Sequence, residues 1–216
     1  MTGPPALRRA RVLPASFYDR PTEQVARDLL GAVLECTTPD GVASGRIVET
    51  EAYLGPDDPA CHAVAGRTRR TWHLHGPPGI AYIYFVYGAH WCFNAVTREE
   101  GHGSAVLVRA LEPVAGLALM RARRPAARND LQLTNGPGKL CQALGIDGAL
   151  DGVRLDRPPL RVLAGDPVGD RDVEVTARIG VTQAADWPLR WLVRGNPYVS
   201  AGRPGKPGRT RRSRSG

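Results

Sequence analysis

The chain has 216 residues and a formal net charge of +8. A chain of this length supports one sizeable hydrophobic core and leaves little room for a second, so we expect one domain. It contains no run of about 20 apolar residues, and its amino terminus lacks the apolar stretch of a secretory signal. These absences predict a cytoplasmic protein with no membrane-spanning segment.

The positive charge favours a polyanionic partner, with nucleic acid first and an acidic membrane surface second. Six of the positive charges lie in the last 14 residues, so the rest of the chain is only mildly basic. The four cysteines are widely spaced and no CxxC motif is present, which argues against a zinc site. We expect reduced thiols, no metal and no cofactor.

The chain begins with a predicted arm, a helix and a hairpin. Residues 1–16 are predicted to form a flexible arm, and residues 21–30 have the apolar spacing and end signals of a helix. Residues 32–36 and 45–54 have the pattern of two strands joined by a turn. The pattern predicts a helix packed on a β-hairpin.

The second of these strands carries the first candidate site. Side chains alternate between the faces of a strand, so Glu49, Glu51 and Tyr53 are predicted to share one face, and Ile47 to lie on the same face. A run of turn residues then returns His62 towards the strand end. A carboxylate, a phenol and an imidazole can converge there. The alternative is a solvated acidic strand and a loop histidine without a catalytic role.

Residues 63–79 are rich in Arg, Gly, Pro and His, which predicts a surface loop. The cluster of Arg67, Arg69 and Arg70 can contact phosphate groups. A solvated loop without such contacts is an equally good interpretation. His73 and His75 supply at most half of a metal site, and no second ligand cluster follows them. We therefore interpret both as loop histidines.

Aromatic and β-branched residues between positions 80 and 96 predict a second hairpin, with Tyr87 in its turn. Tyr82 and Tyr84 share one face of its first strand. A large aromatic side chain at a hairpin tip cannot be buried by its own hairpin. Tyr87 therefore either packs under another loop or protrudes as a wedge of the kind that enters a DNA base stack.

Residues 104–110 are predicted to form a strand that carries Arg109, and residues 113–124 a helix. A polar connector leads to a short helix that opens near Lys139 and ends at Leu144. The free N–H groups of its first turn, together with the lysine, suit a phosphate group. An ordinary capped helix is the equal alternative.

The last third of the chain predicts short strands around residues 161–163, 173–179 and 190–193, separated by Gly, Pro and Asp turns. From residue 202 onward the chain has no apolar residue to bury. Residues 202–216 are therefore expected to form a basic disordered tail.

Five sequence blocks, in this order, resemble a known family. They read RIVETEAYLGPDDPACH, GIAYIYFVYGAHWCFNAV, VLVRALEP, NGPGKLCQALGI and RIGV. Together they resemble the alkyladenine, or 3-methyladenine, DNA glycosylases. The resemblance implies a single α+β domain over residues 17–201, with a curved antiparallel β-sheet flanked by helices. It also implies hydrolysis of the bond between a damaged purine and deoxyribose.

The resemblance implies roles for seven residues. Glu51 resembles the base that activates water, and Tyr87 the wedge that fills the gap left by a flipped nucleotide. Arg109 resembles a support of the DNA-facing site, and Lys139 is a further candidate support because of its place in the first turn of the short helix. The residues that resemble the base pocket are Tyr53, His62, Tyr84 and Asn94, the last as a screen of purine edges.

Enzymes that also cut the DNA backbone need an amine for a Schiff base, and Lys139 is the only lysine before the tail. We therefore expect a monofunctional, monomeric enzyme that acts on double-stranded DNA with damaged purines, alongside the chromosome. Two rival interpretations remain open. In the first, the protein binds nucleic acid without catalysis; in the second, it is a small-molecule glycosidase that uses Glu49 and Glu51 as a pair.

Overall fold

The computed structural model of the protein describes residues 10–86 and 88–202. The predicted wedge, Tyr87, lies outside the described residues, as do the first nine residues of the predicted arm and residues 203–216 of the predicted tail. Within the described part of the arm, Val12 forms an isolated bridge with Leu163.

Along the described residues, two helices precede a run of strands, three helices follow, and the remaining strands come last. The strands are β1 (Val33–Thr38), β2 (Gly41–Tyr53), β3 (Ala81–Val86), β4 (His90–Thr97), β5 (Ser104–Ala115), β6 (Asp156–Arg157), β7 (Leu160–Leu163), β8 (Val173–Thr176) and β9 (Arg190–Val193). The helices are α1 (Ala15–Tyr18), α2 (Thr22–Asp28), α3 (Leu117–Arg123), α4 (Leu131–Thr134) and α5 (Pro137–Leu144).

The strands form one curved antiparallel sheet with the order β3-β4-β5-β2-β1-β7-β6, so the predicted α+β fold is confirmed. Strand β2 is central because it pairs with β5 along one edge and with β1 and then β9 along the other. Strand β8 extends the sheet beyond β9. The segment that bears the two glutamates is therefore supported on both sides.

The pairing of β2 with β5 is irregular at three points, and one of them changes the side-chain alternation before the glutamates. Ile47 pairs with Leu111 and Glu49 with Ala110, so Val48 is an extra residue in β2. Ile47 and Ala52 both belong to the main core. The prediction that Ile47 shares a face with the glutamates is therefore wrong, because a bulge between them shifts the alternation.

The main core fills the space between one sheet face and helices α2, α3 and α5. Helix α2 contributes Val25 and Ala26, and α5 contributes Leu140 and Leu144. A smaller cluster lies on the other side, beneath the loop that follows β2. It consists of Cys61, Ala63, Leu74, Ile80, Tyr82, Val96 and Ala105.

The strand predicted over residues 173–179 ends at Thr176, and the boundary between β5 and α3 also differs from the prediction. The helix predicted over residues 113–124 begins only at Leu117, because β5 continues through Ala115 and Pro113 pairs with Gly45. Gly116, with φ of 77°, makes the break between strand and helix that a left-handed backbone allows. None of the described helices has the length and apolar character needed to cross a bilayer.

Candidate active site

A cavity of about 740 Å³ opens beside β2, β3, β4 and β5. Its size is within the range of pockets that hold small organic groups. Six of the eight candidate residues line this cavity. The candidates that line it are Tyr53, His62, Tyr84, Asn94, Arg109 and Lys139.

Glu51 lies immediately behind the cavity wall and is fully buried. Its Oε1 accepts a hydrogen bond of 2.6 Å from the backbone N–H of Ile179. Its Oε2 accepts bonds of 3.0 Å from the Tyr53 hydroxyl and 3.1 Å from Nη1 of Arg109. All three donor residues line the cavity, so the Glu51 carboxylate is in direct contact with the cavity wall.

Burial raises the pKa of Glu51 above its ordinary value, because a charged carboxylate loses its hydration there. Arg109, the Ile179 N–H and the Tyr53 hydroxyl oppose this shift, because each favours the ionised form. A carboxylate with a raised pKa is a stronger base than an exposed one. The environment of Glu51 therefore suits proton abstraction.

Glu49 has a different environment, although it is also fully buried. Its Oε1 accepts from Nε of Arg109 at 3.1 Å, from Nε of Arg190 at 2.7 Å and from the Ser200 hydroxyl at 2.8 Å. Its Oε2 accepts from the backbone N–H of Ser200 at 2.7 Å. Neither Glu49 nor Glu51 is itself part of the cavity wall, and of the partners of Glu49 only Arg109 lines it. A carboxylate with this set of partners fits a structural role and not that of a second catalytic acid.

Three aromatic rings form one wall of the cavity. Nδ1 of His62 lies 2.9 Å from the Tyr82 hydroxyl. The His62 ring meets Tyr84 nearly edge-on at a centroid distance of 4.6 Å, and Tyr82 and Tyr84 are 5.3 Å apart. Tyr82 was not a predicted wall residue, although its sharing of a strand face with Tyr84 was visible in the sequence.

The pKa of His62 is lowered, first by burial and second by the nearby charge of Arg70. Both effects disfavour the imidazolium, so His62 is neutral over more of the pH range than an exposed histidine. The guanidinium of Arg70 also lies 5.6 Å from the centre of the Tyr84 ring. One of the predicted loop arginines therefore reaches the rim of the cavity.

Asn94 pairs directly with Tyr82 across strands β3 and β4. Its side-chain Nδ2 donates a 3.0 Å hydrogen bond to the backbone oxygen of Tyr82, and the residue is nearly fully buried. The amide is thus fixed in orientation at the cavity wall. A fixed amide is able to distinguish ligands by their hydrogen-bonding edges.

Lys139 lies in the first turn of α5, where the backbone of residues 136–138 also lines the cavity. Its ammonium donates a 2.7 Å hydrogen bond to Oδ1 of Asn135. No side chain caps this helix amino terminus. The predicted helix with a basic first turn is therefore present and faces the cavity.

The two loop histidines point to separate partners. Nδ1 of His73 lies 2.7 Å from Oδ2 of Asp151, and Nδ1 of His75 lies 3.0 Å from the backbone oxygen of Thr71. Across residues 10–86 and 88–202, no three His, Cys, Asp or Glu side chains come together as a set of metal ligands.

A buried ion pair beside the site has no counterpart among the predicted residues. Asp58 and Arg178 have fully buried side chains and bond to each other, with Nη2 of Arg178 2.9 Å from Oδ1 of Asp58. The guanidinium lies 4.7 Å from the centre of the Tyr53 ring. The sequence around Asp58 indicates only a turn, and its partner is 120 residues away, so local pattern could not predict this ion pair.

Comparison with known proteins gives one consistent family. The family model described as "Methylpurine-DNA glycosylase (MPG)" matches residues 16–197. A relative from Methanoculleus marisnigri is 51% identical and aligns over 87% of this chain and 98% of its own length. Relatives from Salinibacter ruber and Myxococcus xanthus are each 48% identical and align over 89% and 91% of this chain and 98% and 96% of their own lengths.

All three relatives carry the name "Putative 3-methyladenine DNA glycosylase". The family match covers most of the chain and includes the glutamates, the tyrosine wall and the segment that contains Arg178. The chain belongs to the methylpurine-DNA glycosylase family and is a DNA glycosylase of the 3-methyladenine type, a hydrolase of N-glycosyl bonds.

Proposed function

We propose that this glycosylase flips alkylated and deaminated purines out of double-stranded DNA and removes them without cutting the backbone, with Glu51 as the general base. One observation carries the proposal. The Glu51 carboxylate lies directly behind a cavity with tyrosine walls and bonds to three residues that line it. A base held in the cavity places its glycosidic bond within reach of this carboxylate.

Base flipping follows from the position of the reactive bond. A damaged base inside a duplex is unreachable, so the enzyme must unstack it at a cost of a few kcal/mol. The rings of His62, Tyr82 and Tyr84 supply stacking surfaces that offset this cost. An alkylated purine that carries positive charge gains a further ~0.5–2 kcal/mol from the tyrosine faces, whereas a neutral purine does not.

The chemical step requires charge stabilisation and an activated water. Breaking the N-glycosidic bond builds positive charge on the sugar, and an ionised Glu51 stabilises that charge. The same carboxylate accepts a proton from the attacking water. Arg109 and Tyr53 hold the carboxylate at 3.1 and 3.0 Å, so its orientation is set before the substrate arrives.

The Glu51→Gln variant tests the proposal on duplexes that contain one defined lesion. The substitution keeps the shape of the side chain and removes the carboxylate that acts as general base. Single-turnover excision should therefore fall by about 10² to 10⁴-fold. Binding to the lesion duplex should stay within a few fold. Glu112→Gln on β5 is the matched control, because its carboxylate accepts a bond from Asn196 and lies outside the cavity wall.

The outcome of this experiment separates the rival functions. Loss of excision with binding retained supports an enzyme with Glu51 as its base. Turnover of Glu51→Gln near the wild-type rate contradicts that assignment. Absence of base release by the wild-type protein from every lesion duplex would leave a nucleic-acid-binding module.

The proposed absence of backbone cutting rests on the scarcity of lysine in the chain. Lys139 is the only lysine before the tail, and it bonds to Asn135. Borohydride should therefore trap no protein on lesion DNA, because no Schiff base forms. A trapped adduct that disappears in Lys139→Arg would overturn this part of the proposal.

The proposed wedge is Tyr87, which lies between β3 and β4 in sequence. Tyr87→Ala should weaken excision from duplex DNA, because nothing then fills the gap left by the flipped nucleotide. Excision from single strands should suffer less, since a single strand has no stacked partner to replace. Equal losses on the two substrates would argue against a wedge.

A further inference from the structure

The buried pair of Asp58 and Arg178 has contacts beyond those of a simple ion pair. Nη1 of Arg178 also donates a 3.0 Å hydrogen bond to the backbone oxygen of Ala52, the residue between Glu51 and Tyr53. The guanidinium lies over the face of the Tyr53 ring at 4.7 Å. Arg178 is thus attached both to the backbone of β2 and to one of its site side chains.

Arg178 is adjacent to two of the three groups that donate to Glu51. The Tyr53 hydroxyl and the Ile179 N–H bond to opposite oxygens of the carboxylate, at 3.0 and 2.6 Å. Arg178 stacks on the Tyr53 ring and directly precedes Ile179 in sequence. Strand β8 ends at Thr176, so no sheet pairing fixes the Ile179 amide.

Asp58 fixes the loop that follows β2. Its Oδ2 accepts from the N–H of Leu54 at 3.2 Å, and its Oδ1 accepts from the N–H of Ala60 at 3.0 Å. Its backbone oxygen accepts from the N–H of Cys61 at 2.8 Å. The loop continues into His62, so the ion pair joins the loop that carries this wall residue to the segment that carries Ile179.

A buried pair of this kind is not explained by stability alone. Replacing a buried ion pair with apolar residues of similar volume is often neutral or stabilising, because two charges lose their hydration. Nε of Arg178 is also buried without a hydrogen-bond partner in the part of the chain that the structure describes. The contacts of Arg178 with Tyr53 and with the residue before Ile179 suggest instead that its role is orientation.

We propose that Arg178, anchored by Asp58, is a positioning residue for base excision that holds the Tyr53 hydroxyl and the Ile179 N–H on the Glu51 carboxylate. It touches no substrate atom itself. The role rests on the proposed function, because it requires Glu51 to be the catalytic base. Without Arg178, the carboxylate loses its fixed orientation and two bonds that favour its ionised form.

Several elements present titratable or charged groups to Glu51, and a change at Arg178 acts against that background. Arg109 favours the ionised carboxylate, and Glu49 disfavours it. The groups that face Glu51 are Glu49 and Tyr53 from β2, Tyr84 from β3, Cys92 from β4, Arg109 from β5 and Arg178 from the segment after β8.

The test compares four variants in single-turnover excision across pH, with lesion-DNA binding and thermal unfolding measured on the same preparations. Arg178→Met removes the charge and the hydrogen bonds, and Arg178→Lys keeps the charge without the planar fork. The double variant Asp58→Asn with Arg178→Met leaves no unpaired buried charge, so it keeps the test valid if the single variant unfolds. Arg161→Met is the control, because it breaks an ion pair with Glu35 between β1 and β7, two strands that contribute no residue to the cavity wall.

We expect Arg178→Met and the double variant to excise about 10- to 100-fold more slowly, since small displacements of a catalytic group cost rates of that order. The acidic limb of their pH profile should move to higher pH, because the ionised form of Glu51 has lost two donors. Lesion binding should change by no more than a few fold. Arg178→Lys should recover part of the rate, and Arg161→Met should leave the pH profile unchanged.

A wild-type rate and an unshifted acidic limb in the folded double variant would overturn the inference. So would a lower rate that follows only the loss of folded protein, with the limb unmoved. Failure of the proposed function looks different, because Glu51→Gln would then remain active. If Glu51→Gln is inactive and the Arg178 variants are unaffected, only the positioning role is wrong.

Discussion

Glu49 and Glu51 lie two residues apart on the same strand and are both fully buried, yet their partners differ in kind. Glu49 accepts four hydrogen bonds, from Arg109, Arg190 and both the backbone and side chain of Ser200. Glu51 accepts three, all from residues that line the cavity. Arg109 bonds to both carboxylates.

The comparison shows that burial and spacing do not distinguish a structural carboxylate from a candidate base. The two glutamates differ in where the residues that donate hydrogen bonds to them lie. The partners of Glu49 tie β2 to β9 and to the chain near residue 200, so they hold the fold together. The partners of Glu51 all line the cavity, so its carboxylate is held by the cavity wall itself.

Arg109→Met should have the largest effect, because it removes the group that the two carboxylates share. Removing one partner of a buried ion pair costs ~3–5 kcal/mol of stability. The acidic limb of excision should also move to higher pH, since Arg109 opposes the raised pKa of Glu51. Denaturant unfolding and single-turnover rates measure the two effects. A stable variant with an unshifted limb would show that the carboxylates do not depend on this charge.

Glu49→Gln should have a smaller effect, and on stability alone. The neutral amide leaves the Arg190 charge without its partner and weakens bonds worth about 1.5–3 kcal/mol each. Excision per folded molecule should remain within a few fold of wild type. Glu51→Gln should give the reverse pattern, with folding retained and excision lost. A greater loss of excision in Glu49→Gln than in Glu51→Gln would exchange the two roles.

The smallest and most specific effect should be a difference between lesion types in the pH profile of excision. A cationic base such as 3-methyladenine leaves as a neutral molecule, so its excision should rise to a plateau as Glu51 ionises, above pH 4.5 because that pKa is raised. A neutral lesion such as hypoxanthine needs a proton or a hydrogen bond at its leaving group. If His62 supplies the proton, the profile is bell-shaped.

The falling limb should lie below pH 6.5, because burial and Arg70 lower the pKa of His62. Excision of the neutral lesion should therefore peak on the acidic side, within a narrow range. His62→Gln should remove the falling limb for hypoxanthine and leave the plateau for 3-methyladenine. Identical profiles for the two lesions would exclude a titrating donor and favour a backbone N–H in the loop after β2.

The alternation of apolar and polar residues predicted much of this fold, because every second residue of a strand with one buried face points into the core. It placed Glu51 and Tyr53 on one face and Tyr84 on the facing hairpin, as the structure has them. The same rule failed at Ile47, where a bulge inserts one residue. A different rule, that a proline favours the first turn of a helix, failed at Pro113, because an irregular pairing with Gly45 keeps this proline within a strand.

Contacts between distant positions could not be predicted from local pattern. Asp58 lies in a run of turn residues, and the segment with Arg178 was predicted to be a strand through Ile179. Neither the local composition around Asp58 nor that around Arg178 indicates that these two charges meet in the interior. The family resemblance suggested a role for Arg109, whereas its bonds to both glutamates became evident only from the structure.

The site is assembled from widely separated parts of the chain, and this has a consequence for synthesis on the ribosome. Glu51 bonds to residues 58 and 128 positions further on, and Glu49 to a residue 151 positions further on. Contacts of such long range form only after the intervening chain is available. A nascent chain therefore cannot hold its two carboxylates in place until it has been translated through Ser200.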